Sequence, residues 1–165
     1  MGVQAADRVK NAQVLVRGEI DQPAQEVPRG FVRVLSSNAA KIAPKSSGRL
    51  ELAKWMTSPE HPLTARVMVN RIWQHLMGEA IVREPENFGA SGPGPTDAAL
   101  LDYLAVRFVE SGWSVKTLVR EIASSRVYRL SSQFDQQRFE KDPDNLYFAR
   151  AKTRRMDAEA IRDSM

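Results

Sequence analysis

Cysteine is absent from the 165-residue chain. Its absence excludes disulfides, thiolate metal sites and covalent haem attachment within this chain, and leaves the compartment open. Histidine is almost as scarce: His61 and His75 are the only two, which argues against a histidine-rich metal centre. No uninterrupted apolar run approaches the ~18 residues that a membrane span needs. The N-terminal stretch MGVQAADRVKNAQ lacks the apolar core of a secretory signal. Such a chain is either cytoplasmic or an interior piece of a longer exported protein. The remaining composition is that of an ordinary globular domain, 42% hydrophobic and 27% charged, long enough to bury one core. A net charge of +4 and a pI near 9.6 allow an anionic partner such as nucleic acid, an acidic glycan or an acidic protein. Most basic residues, however, are interspersed with acids, the pattern of a solvated surface, and composition alone does not establish nucleic-acid binding.

Residues 1–47 differ from the rest. Gln13-Val14-Leu15-Val16-Arg17-Gly18 reads as a short strand running into a turn. Pro23, Pro28 and Gly30 punctuate the next stretch, and Ser36 to Ser47 reads as a small, polar linker. This part has too few apolar residues to form a core alone. From residue 48 onward the pattern becomes helical. Arg49 to Met56 forms a helix that ends before Pro59, because proline disfavours helical geometry in the residue before it. Leu63 to Met77 is a second helix with Pro62 at its start, where a missing N–H is harmless, and Gly78 as its stop. At about 100° per residue, Ala65, Met68, Val69, Ile72, Trp73 and Leu76 share one arc, while Arg66, Asn70 and Gln74 line the other. Ala80-Ile81-Val82 is a short turn or strand. A third helix runs from a Thr96 or Asp97 cap to about Glu110, and a fourth comes after the Ser114 cap with Val115, Leu118, Val119 and Ile122 at core spacing. So tight a connection predicts a helical hairpin or corner. Further helical turns are expected near Gln133 to Phe139, Asn145 to Arg150 and Asp157 to Ser164. Trp55, Ile72, Trp73, Leu76, Leu101, Leu104, Phe108, Leu118 and Ile122 are expected to share one core.

No motif with a unique chemical reading is present. GASGPGPT lacks the lysine of a phosphate loop, and its prolines remove N–H groups that a phosphate cradle needs, so it reads as a loop between helices. His75 has the chemistry of a base, but no Ser/His/Asp order or His-Glu spacing accompanies it, and a boundary-facing histidine fits better. Glu84, Glu86 and Asp97 flank the loop after the second helix and read as surface acids. The best candidates lie on the polar face of that helix: Arg66, Asn70, Arg71, Gln74 and His75. A guanidinium beside an amide can grip a carboxylate, sulfate or phosphate in fixed geometry. The competing reading is that these groups bond the backbone of the adjoining loop. Ala149 to Arg155 (ARAKTRR) holds four basic residues without the interleaved aromatics of a single-strand-binding platform. Its Arg155 joins the candidates, either as a ligand group or paired with Glu159 along a helix.

Several stretches, in order, resemble a known family. RLELAKWMTSPEHPLTARVMVNRIWQHLMGEAIVREPENFG is similar to the hallmark of the planctomycete cytochrome-C-associated domain of unknown function 1553. PTDAALLDYLAVRFVESGWSVKTLVREIASSRVYRLSS, DPDNLYFARAKTRRMDAEAIRDSM and the upstream LVRGEIDQPAQEVPRGFVRVL continue the likeness, which covers nearly everything from about Gln13. The resemblance implies a piece of a large, exported, multidomain protein that carries a c-type cytochrome domain elsewhere. It implies no catalytic residue, because the family has no established activity. Arg66, Asn70, Arg71, Trp73, Phe88, Gly89, Arg155, Glu159, Arg162 and Asp163 fall on its motif positions. The family pattern continues past the last residue here, so the chain is expected to be truncated at its C-terminus.

The expected architecture is therefore mainly α, a multi-helix orthogonal bundle over residues 48–165 preceded by a 1–47 extension with a short strand. The leading functional expectation is an accessory or interaction domain that contacts an anionic polysaccharide or other domains of its parent protein, among them the cytochrome c domain. This chain would hold no cofactor, haem c would belong to a separate domain, and the location would be periplasmic or otherwise exported. A polysaccharide-active hydrolytic or oxidative enzyme is the alternative, and a nucleic-acid-binding module ranks third.

Overall fold

The computed structural model describes residues 9–36 and 41–165 and divides the chain into two units, Met1–Pro62 and Leu63–Met165. Residues 1–8 of the expected extension and 37–40 of the expected linker lie outside the described residues. Among the described residues the fold is mainly α, with six α-helices and one two-stranded sheet.

In the first unit the expected strand is one arm of a hairpin. β1 (Ala12–Leu15) pairs antiparallel with β2 (Pro23–Val27), matching Ala12 to Val27 and Gln13 to Glu26 before an irregularity ahead of Leu15 and Pro23. Every residue of β1 is exposed, and a lone hairpin is marginal in water. Side-chain bonds reinforce this one. Asn11 Nδ2 donates to Glu26 at 2.8 Å, and Arg29 donates to Asn11 and to the carbonyls of Pro44 and Ser46. The helix α1 (Arg49–Met56) then begins after Gly48, whose φ of 82° favours glycine. Trp55 of α1 stacks on Phe31 with ring centroids 5.1 Å apart and meets His61 edge-on at 4.5 Å. Trp55 thus belongs to an aromatic cluster of the first unit rather than to the helical core in which periodicity placed it. Periodicity identifies an apolar face, not the partner that covers it.

The second unit is built on α2 (Thr64–Met77), α3 (Ala98–Glu110) and α4 (Val115–Ser124), each packed on the other two. Their ends obey local chemistry. Gly78 closes α2 in the left-handed region, and its N–H donates to the Gln74 carbonyl at 2.8 Å. Asp97 accepts from the Leu100 N–H and Ser114 from the Thr117 N–H, so each satisfies a first-turn donor that the helix leaves orphaned. Between α3 and α4, Gly112 and Trp113 both take positive φ. The Trp113 N–H donates back to the Phe108 carbonyl at 3.0 Å, so the chain turns sharply and the two helices meet as expected. Val69, Ile72 and Trp73 of α2, the linking Ile81 and Val82, Leu101, Leu104 and Phe108 of α3, and Leu118 and Ile122 of α4 form one buried cluster that Phe148 joins. Two short helices complete the unit: α5 (Gln136–Lys141), capped by Asp135, and α6 (Ala158–Ser164), capped by Asp157.

Asn145 to Arg150 is not the helical turn expected from the sequence. Asn145 and Phe148 both adopt φ of 52°, which no α-helix accommodates. The carboxylate of Asp142 accepts the N–H groups of Leu146 and Tyr147 at 2.7 and 3.0 Å. The amide of Asn145 bonds both the N–H and the carbonyl of Arg150, and the Arg150 guanidinium donates to the carbonyls of Asp142 and Pro143. Short polar side chains offer this backbone better partners than a helix would, and helical propensity loses.

No helix among the described residues is long and apolar enough to cross a membrane. Trp73 is 3% exposed and stands at the meeting of α2 with Phe148. Trp73→Ala is therefore expected to cost about 3–5 kcal/mol, read as a lower midpoint in denaturant unfolding; a midpoint equal to that of the parent chain would remove Trp73 from the core.

Candidate functional site

The polar face of α2 does not present its groups in one place. Asn70 is the clearest case. It is 0% exposed, its Nδ2 donates to the Val82 carbonyl at 3.1 Å, and its Oδ1 accepts the Val82 N–H at 2.8 Å. The carboxamide thus does for Val82 what a neighbouring strand would do. On its other side, the same link is tied by the Thr96 N–H donating to the Ile81 carbonyl at 2.9 Å and by a bridge between Val82 and Pro95. The connection from Gly89 to Pro95 is a loop, and an added Cβ at Gly92 would stand 2.2 Å from the Asn87 carbonyl oxygen, so the loop closes only with glycine there.

The other candidates spread outward. Arg66 Nε donates to Asp102 Oδ1 of α3 at 2.6 Å. That hydrogen bond, aided by the attraction between the charges, holds the Asp102 carboxyl below the ordinary carboxylate range, and Arg66 is raised in turn. Arg71 pairs with Glu86 across a long 3.4 Å contact between exposed side chains. Gln74 is half-buried, whereas His75 and Arg155 are exposed. The carbonyl of His75, rather than its ring, is what the fold uses: it accepts from Arg154 Nη1 at 2.8 Å. Among the described residues no group of three or more histidines and carboxylates could hold a metal ion.

A better-formed basic site lies where α2 ends. A cavity of about 270 Å³ opens there, with Leu76, Met77, Val127 and Phe148 among its apolar walls. Arg150, Lys152 and Arg154 also line it, and Glu79 is the one acid that does. Lys152 Nζ sits 3.2 Å from Glu79, which is also held at 2.6 Å by Arg83. Arg150 and Arg154 pair with no carboxylate among the described residues; they bond backbone carbonyls, and Arg150 also stands over the Phe139 ring at 5.8 Å. Part of this is architectural, because cations are favourable beside the carbonyl-rich C-terminus of a helix. A guanidinium has five N–H donors, and those used here leave others for a ligand. None of Arg66, Asn70, Arg71, Gln74, His75 and Arg155 lines this cavity. The run ARAKTRR marks the right segment in the sequence. Its alternation then places Arg150, Lys152 and Arg154 on the cavity and leaves Arg155 outside it.

The family model described as "PSD1: Protein of unknown function (DUF1553)" matches residues 48–165, most of the chain, and leaves residues 1–47 outside, including the stretch from Gln13 where the resemblance begins. No curated protein and no solved structure matches.

Asn70→Ala strands a buried N–H and a buried carbonyl on Val82 and is expected to cost about 2–4 kcal/mol. Asn70→Asp is expected to lose stability at neutral pH and regain part of it in acid, because a protonated carboxyl restores the missing donor and removes a buried charge. Equal urea midpoints for the parent and Asn70→Ala would show that the clamp is dispensable. Asp102→Asn, by contrast, removes a pair whose members are both more than one-third exposed, and is expected to cost only about 0.2–1 kcal/mol at neutral pH. Because the folded-state pKa of Asp102 is depressed, its contribution is present above the ordinary carboxylate range and lost as the pH falls through the folded value. A stability difference that persists in strong acid would contradict that pairing.

Proposed function

The chain belongs to the PSD1 family of unknown function, and from that premise we propose that it is an accessory binding domain of a larger protein, with the rim formed by Arg150, Lys152 and Arg154 as its anion-binding surface. The observation that carries the reading is the pair of guanidiniums, Arg150 and Arg154, that line one cavity with no carboxylate partner among the described residues. An apolar floor under a cationic rim suits a sulfated or carboxylated sugar, whose ring buries carbon while its acid group takes charge-assisted hydrogen bonds. An acidic loop of a neighbouring domain offers the same chemistry. The resemblance to the planctomycete cytochrome-associated proteins supplies the setting: an exported, periplasmic multidomain protein whose haem c would sit in another domain, because this chain has no cysteine to attach it. The reading is one of binding rather than turnover.

A thermal-shift titration of the full chain against heparin and polygalacturonate tests it. A rise in Tm that fades with added salt is expected. The double variant Lys152→Gln/Arg154→Gln should weaken binding about ten- to hundredfold, while Arg71→Gln should bind like the parent chain. No shift with either polyanion would overturn the anion-binding reading. Loss of binding in Arg71→Gln alone would move the site to the exposed face of α2.

A further inference from the structure

Among the described residues Glu79 is the one acid that lines the basic cavity, and the two cations beside it hold it unequally. Arg83 Nη2 lies 2.6 Å from its Oε1 and also donates to the Asp144 carbonyl at 2.9 Å. Lys152 Nζ approaches the other oxygen, Oε2, at 3.2 Å, and its side chain is 51% exposed against 21% for Glu79. A guanidinium bonded on two sides has little room to turn, whereas an ammonium on a flexible four-carbon stem reorients readily. Lys152 is therefore the partner that can let go.

The stems of Lys152 and Arg154 both cross Gly78. A Cβ placed on that glycine would meet Arg154 Cδ at 3.8 Å and Lys152 Cδ at 4.0 Å. The two cations thus rise from one small patch at the end of α2. Arg154 bonds the His75 carbonyl through Nη1, which leaves its other N–H groups for a ligand. Lys152, by contrast, already has a carboxylate.

Resting on the anion-binding reading above, we propose that Glu79 is the built-in occupant of Lys152. In the free chain the lysine pairs with Glu79. When a polyanion binds, one of its acid groups replaces that carboxylate and draws Lys152 toward Arg154, while Arg83 keeps Glu79 in place. Glu79 thereby sets the selectivity of the site. A single carboxylate offers Lys152 only what it already has, at the added cost of ordering a free molecule. A chain of acid groups reaches Arg150 and Arg154 as well, so the site takes polyanions over isolated acids.

Exchange of partners differs from repulsion. If Glu79 were only a fixed negative charge, its effect on a ligand and that of Lys152 would add. Exchange couples them, because Lys152 contributes fully only where it has no Glu79 to leave.

The test is a calorimetric titration of the full chain with heparin and with polygalacturonate, run on the parent, Glu79→Gln, Lys152→Gln and the double variant. Glu79→Gln is expected to bind about tenfold tighter than the parent, the factor that one charge-assisted contact supplies. Lys152→Gln should weaken binding about tenfold in the Glu79→Gln background but only about twofold in the parent. Glu79→Ala, which leaves Lys152 no oxygen, should match Glu79→Gln, and both should keep a Tm close to the parent's, because ion pairs with an exposed partner contribute little. Glu110→Gln makes the same change of charge on α3, which lends no residue to this cavity, and should bind like the parent. Equal factors for Lys152→Gln in the two backgrounds, or Glu79→Gln binding no tighter than Glu110→Gln, would overturn the exchange and leave the anion-binding reading intact. A parent chain that binds neither polyanion would overturn both.

Discussion

Burying the carboxamide of Asn70 is costly unless both its ends are bonded, and the Val82 backbone bonds both. The rest of the helical unit depends on that exchange. Ala80, Ile81 and Val82 lie almost wholly out of solvent between α2 and α3, in no regular element, so their backbone groups have no ladder to satisfy them. Asn70 serves Val82 from one side, and Thr96 serves Ile81 from the other. Once the link is held, Ile81 and Val82 fill the space between Val69, Trp73 and the Leu101–Phe108 stripe of α3. A polar residue thereby completes an apolar core.

The same device recurs in the C-terminal segment. Asp142 and Asn145 stand in for secondary structure, bonding backbone N–H and carbonyl groups that the non-helical stretch to Arg150 would otherwise leave open. This hydrogen-bonded loop carries Phe148 into the core against Trp73 and leads into the basic side chains that line the basic cavity. One wall, Phe148 with Val127, is thus common to a cavity with a cationic rim and a cavity with acidic lining. The chemistry on the two sides is opposite because the flanking elements differ: the C-terminus of α2 draws cations, whereas the start of α3 and the middle of α4 supply Asp97 and Glu121.

The first unit obeys another logic. Its hairpin is solvated throughout β1, and its order rests on polar bridges such as those of Arg29 and on the Phe31–Trp55–His61 rings rather than on buried aliphatic side chains. The matched family region begins at residue 48, whereas the unit continues to Pro62. The stretch that holds α1 is therefore shared between the family region and the first unit.

From the sequence alone came the first four helices and the signals at their ends. Gly78, Asp97, Ser114 and Asp157 are local signals whose partners lie within four residues along the chain, so a linear reading finds them. The apolar stripes of α2, α3 and α4 are legible for the same reason: helical periodicity depends on the chain itself. Asn70 was legible as one residue of a polar face, and the reading that such a group bonds the backbone of the adjoining loop holds for it, but which backbone groups it bonds, those of Val82, only the folded chain decides. The helix expected at Asn145–Arg150 and the core place expected for Trp55 failed on the same ground. In each case the winning interactions, Asp142 with Leu146 and Tyr147 or Trp55 with Phe31, depend on side-chain directions that no local pattern encodes. The cavities belonged entirely to the tertiary structure. Their walls gather residues from α2, α4 and the loop near Phe148, and only the folded chain brings segments so far apart in sequence within reach of one ligand.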